Sequence, residues 1–69
     1  MDVVVGDMVA WRWAAGVAEG VVEDIVPERL SIESKGKIIT RNGTPENPAV
    51  VIRHTGGSTV LKLKSELQG

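Results

Sequence analysis

The chain has no cysteine, no phenylalanine and no tyrosine. The first absence excludes a disulfide framework and a thiolate metal site. The other two leave Trp11 and Trp13 as the whole aromatic complement. A single histidine, His54, is present. A zinc site built from protein groups alone would need Asp or Glu for its remaining ligands, so no metal or cofactor is expected. Apolar runs stop after three or four residues, as in Val3-Val4-Val5 and Ala49-Val50-Val51-Ile52. A bilayer span needs about 20, so no membrane partner is expected. Asp2 and Asp7 stand where a secretory leader would be basic, and the expected location is the cytoplasm.

What is present points to one small folded unit. The 69 residues fit a single domain, 1–69. A domain of this size buries only about 60% of its unfolded surface, so homo-oligomerisation is one route to added stability. At 42% apolar residues the chain can build a core rather than stay disordered. The net charge of −1 hides an asymmetry. Residues 1–34 hold seven acids against Arg12 and Arg29, whereas residues 35–69 hold six bases against Glu46 and Glu66. The basic half can meet an anion or the chain's own acidic half.

Short β-branched runs between turn signals predict an all-β chain, with strands near 8–13, 18–26, 30–33, 37–41, 49–54 and 59–64. Two prolines and Asn42-Gly43 make residues 42–48 a loop. Ser65 to Leu67 suggest a helical turn capped by Ser65. Gly20 suggests a bend or a close backbone approach in the second strand.

Two hairpins can be placed in register. Gly56-Gly57 predicts a two-residue turn with both residues at positive φ. Ile52 then faces Leu61 and Val50 faces Leu63 on a core face. Arg53 with Val60, Val51 with Lys62 and Ala49 with Lys64 fall on the other face. That second face is basic with an apolar component: either a solvated face with Lys and Arg stems over valines, or a contact surface. A second turn at Lys35-Gly36 sets Ile32 opposite Ile39 and sends Lys35 and Lys37 into solvent. In the first strand Val9, Trp11 and Trp13 share a face. Trp11, mid-strand, is expected in the core. Trp13, beside the Ala14-Ala15-Gly16 turn, is the exposed one.

These features carry a family resemblance. In order, they are Gly6-Asp7-x-Val9-x-Trp11, Gly16, Gly20-x-Val22, Lys35-Gly36-Lys37, Pro45-Glu46-Asn47-Pro48-Ala49, and Leu61-Lys62 with Ser65-Glu66-Leu67. The set spans almost the whole chain and resembles the bacterial and fungal family of hypervirulence-associated TUDOR domain proteins. The resemblance implies an SH3-like, Tudor-type barrel of about five strands. It implies little mechanism. The family commonly places Tyr after Pro-Ala; here Val50 follows Ala49.

Tudor readers of methylated lysine or arginine enclose the cation in several aromatic faces, because each ring contributes only about 0.5–2 kcal/mol. With Trp11 in the core, one ring remains, so the fold name does not fix the activity. Three functions stay open. The first is a non-enzymatic interaction module that binds a protein partner or acidic ligand through Arg12, Trp13, Arg53, Lys62 and Lys64. The second is nucleic-acid binding that adds Lys35, Lys37 and Arg41, against which stand the net charge and the scarcity of stacking rings. The third is an enzyme with an active site shared between small barrels, as in plasmid-type dihydrofolate reductase, whose Val-Gln-Ile-Tyr stretch is missing here. His54 is the one side chain suited to acid–base work near neutrality, and no nucleophile or carboxylate pair accompanies it, so no catalytic residue is assigned.

Overall fold

The computed structural model describes residues 3–68. Each β-branched run forms a strand close to its expected place: β1 Met8–Trp13, β2 Gly16–Val26, β3 Arg29–Ser34, β4 Lys37–Asn42, β5 Ala49–His54 and β6 Thr59–Leu63. A 3-10 turn, Lys64–Glu66, leads into a short β7, Leu67–Gln68. One sheet has the order β6-β5-β2-β1-β7, and β3 and β4 pair in a second. The second sheet lies against β6, so the two sheets curl into a small barrel.

The long strand β2 makes the curvature. Its first part, Gly16–Val21, pairs with β1, and its later part, from Gly20 on, pairs with β5. The register to β5 shifts between Val22 and Asp24, so Glu23 is an extra residue, and such a bulge bends and twists the strand. Gly20 sits where both partners meet. A Cβ there would lie 2.5 Å from the Arg53 carbonyl oxygen and 2.6 Å from Ile52 Cγ2. The close approach expected at Gly20 is therefore real.

Val9, Trp11, Val22, Val50 and Ile52 form the core, with Ala18, Ile25, Val60 and Leu67 packed around it. Trp11 is 5% exposed and Trp13 57%, as their positions along β1 predicted. Leu61 is also buried, on the β6 face that pairs with Val51 rather than Ile52.

Two local expectations are corrected. The β5–β6 register is one residue off: Ile52 opposes Val60, Val51 opposes Leu61, Val50 opposes Lys62, Ala49 opposes Leu63 and Arg53 opposes Thr59. The connection is a three-residue loop, not a two-residue turn. The His54 N–H donates to the Ser58 carbonyl and the Gly57 N–H to the His54 carbonyl, both at 2.8 Å. Only Gly57 takes positive φ, at 99°. A turn followed by one left-handed glycine closes a hairpin as well as two such residues do, and it moves every downstream side chain to the other face. Val50, Ile52 and Leu61 are buried as expected, but Lys62 leaves the face of Arg53.

The C-terminal turn is the second correction. It spans Lys64–Glu66, and Leu67 already pairs with Trp11. Ser65 lies inside it, with its N–H donating to Asn47 Oδ1 at 2.9 Å. The turn is capped by the Glu66 carboxylate, which accepts the Leu63 N–H at 2.8 Å. By contrast, the Lys35-Gly36 hairpin keeps the expected register, with Ile32 opposite Ile39 and both turn residues at positive φ.

Candidate functional site

Antiparallel order puts the β1–β2, β3–β4 and β5–β6 turns at one end of the barrel, and a groove forms between them. One hollow, of about 280 Å³, is lined by Trp11, Trp13, Ala18, Lys35, His54, Ser58 and Val60. A second, of about 300 Å³, shares Lys35, Ser58 and Val60 and adds Ser34, Lys37, Ile39 and Thr59. The shared residues join an aromatic end to a lysine-bearing end.

Each wall has a local cause. Trp13 closes β1 opposite Gly16, where the absent side chain leaves its indole open. His54 stands edge-on to Trp11, ring centroids 5.8 Å apart and planes at 61°. Its Nδ1 accepts the Gly56 N–H at 2.9 Å, which holds the ring against the loop. The Ser34 hydroxyl donates to the Thr59 carbonyl at 2.7 Å and ties β3 to β6 along the groove floor. Lys35 and Lys37 lie within 4 Å of no carboxylate among the described residues.

The residues singled out in the sequence do not form one surface. Arg12 pairs with Val17 and Arg53 with Val21, so both project from the outer face of the sheet, away from Trp13. That face also exposes Met8, Val17 and Val21. Arg53 is ion-paired to Glu23 at 2.9 Å. Lys62 faces the other way and lies 3.9 Å from Glu66. Lys64 begins the 3-10 turn. Arg41 is held by Glu66, Nε to Oε1 2.8 Å, which separates it from Lys35 and Lys37. Of the whole set, the groove gathers Trp13, Lys35 and Lys37. Sequence reasoning missed Ser58 and Val60 as their companions and kept His54 out of the binding set. The available signal was topological: each odd-to-even turn of an antiparallel chain falls at the same end.

The family model for the TUDOR domain of hypervirulence-associated proteins matches residues 6–67. The chain belongs to that family. Its fold is accordingly a Tudor-type, SH3-like barrel, a class of small binding module whose members generally take protein or nucleic-acid partners. No curated protein and no solved structure matches the chain. The aromatic cage of Tudor readers of methylated residues is not built here: among the described residues the groove offers one exposed indole beside a lysine. No helix among the described residues is long and apolar enough to cross a membrane.

Proposed function

We propose that this domain is a non-enzymatic module that binds an extended segment of a partner protein in the Trp13–Lys35 groove. The observation that carries the reading is the meeting of the exposed Trp13 with Lys35, His54 and Val60 along two joined hollows. A flat indole offers a large contact area at small entropic cost, and such residues concentrate binding energy at interfaces. The partner's backbone can bond to Ser58, and its apolar side chains can cover Trp13 and Val60.

Nucleic acid fits less well. Arg41 is paired with Glu66, so the basic set expected from the sequence reduces here to Lys35 and Lys37. A strand of phosphates is gripped by many cations, and stacking sites use several rings. The test is an NMR titration of the labelled domain with pooled extended peptides and with short DNA and RNA at two salt concentrations. Peptide-induced shifts at the Trp13 indole, Lys35, Ser58 and Val60 are expected. Shifts confined to Arg12, Arg53 and the outer face would transfer the site to the opposite side of the sheet.

A further inference from the structure

We infer that the groove selects an acidic segment, with a partner's Asp or Glu carboxylate seated on Lys35 and a neighbouring apolar side chain covering Trp13. This rests on the reading of the groove as a peptide site.

The first argument is conformational. Lys35 is the one non-glycine residue at positive φ among the described residues, at 53°. An L-residue with a Cβ is strained in that region, because the Cβ crowds the following carbonyl oxygen. Asn, Asp or Gly is the usual choice for the first position of such a turn. Turn stability therefore does not account for a lysine. Strain of this kind is held where the side chain has work to do.

The second argument is placement. Lys35 lines both hollows and so stands where they join. Lys37 lies opposite Ser34 on the same face of the β3–β4 hairpin and lines the second hollow. Glu33, the acid nearest in sequence, pairs with Ile38 on the other face. Among the described residues, no Asp or Glu lines either hollow. His54, which also lines the first hollow, has its Nδ1 turned to the Gly56 N–H. The groove is thus cationic and apolar, with no counter-ion among the described residues. It complements a carboxylate next to an apolar residue and repels a methylated lysine or arginine.

The experiment compares two capped peptides, acetyl-Glu-Phe-Leu-Glu-amide and its neutral isostere acetyl-Gln-Phe-Leu-Gln-amide, with a short oligothymidylate as a third probe. Binding is read by NMR shifts on the full chain, and melting is followed for each variant. The acidic peptide is expected to bind up to about fivefold more tightly than the isostere, the size of one productive exposed ion pair. Lys35→Gln removes the charge, keeps an unbranched polar side chain one atom shorter, and is expected to abolish that preference. Lys35→Gly is expected to do the same with a melting temperature at or above that of the parent, because glycine relieves the turn. Lys35→Asn serves equally if the glycine variant does not fold. Equal affinity for both peptides, or an acidic preference that survives Lys35→Gln, would overturn the Lys35 anchor and leave the peptide groove standing. A drop in melting temperature for both Lys35→Gly and Lys35→Asn would overturn the strain argument and the anchor with it. Absence of shifts at Trp13 and Lys35 with either peptide, or tighter binding of oligothymidylate, would overturn both the anchor and the peptide site.

Discussion

Arg41 in β4 and Glu66 in the C-terminal 3-10 turn form an ion pair, Nε to Oε1 2.8 Å, and it is the one salt bridge among the described residues that joins the β3–β4 sheet to the rest of the barrel. The same carboxylate caps the turn at the Leu63 N–H, so Glu66 fixes the approach of β7 to β1.

That double role has a pH signature. Partial burial works against ionisation of Glu66, but the hydrogen bonds from Arg41 and Leu63 and the charges of Arg41 and Lys62 outweigh it and hold the carboxyl below its usual range. A carboxyl depressed in the folded state contributes stability that is complete above its unfolded value, about pH 4.3, and is lost as pH falls through the folded value. Glu66→Gln is therefore expected to cost about 0.5–1 kcal/mol at neutral pH, as a partly exposed pair does. The gap to the parent should close in acid. Urea unfolding at pH 7 and below pH 4 checks this; a gap that widens in acid would contradict it.

The two tryptophans should separate by stability. Trp11→Ala empties the core and is expected to cost about 3–5 kcal/mol, enough to unfold a domain of this size. Trp13→Ala should stay within about 0.5 kcal/mol of the parent. In the Trp13→Ala protein the remaining emission comes from a buried indole, so a blue shift and weak acrylamide quenching are expected. A red, readily quenched spectrum from that variant would place Trp11 at the surface.

Gly20→Ala tests the bend in β2. The added methyl meets backbone at 2.5 Å, and neither strand can retreat without breaking its ladder. Overpacking of this kind costs about 1–3 kcal/mol, or a melting shift of about 4–8 °C per kcal/mol for a chain this short. An unchanged melting temperature would show that β5 does not approach β2 this closely at Gly20.

The β5–β6 loop yields a coupling prediction. A Cβ on Gly56 would lie 2.9 Å from His54 Nδ1, whereas Gly57 has open space but a left-handed backbone. The cost of Gly56→Ala should therefore shrink in a His54→Ala background, with a coupling energy of about 0.5 kcal/mol or more. The cost of Gly57→Ala, about 1–2 kcal/mol from its backbone region, should not change. A double-mutant cycle by chemical denaturation separates the two, and equal coupling at both glycines would argue for a different turn.

Much of this architecture is written in local chemistry. Alternation of β-branched residues marks each strand, because a pleated half-buried surface needs it. Lys35-Gly36 sets its hairpin register, because the two residues between the strands are both in the left-handed region. Trp11 reads as core from its mid-strand position in an aromatic-poor chain. Tertiary structure decided what local chemistry leaves degenerate. Gly56-Gly57 is compatible with a two-residue or a three-residue closure. The observed closure has His54 packed edge-on to Trp11 with its Nδ1 on the Gly56 N–H, and with it Lys62 is carried to the opposite face from Arg53. The availability of each base was likewise settled over long range: Arg53 is engaged by Glu23 and Arg41 by Glu66, 30 and 25 residues away in sequence. Trp13, Lys35 and His54 belong to three separate turns, and only closure of the barrel sets them around one groove. Sequence determines backbone torsions and burial preference residue by residue; which side chains share a surface depends on register and ion pairing, and those are decided by contacts between segments far apart in the chain.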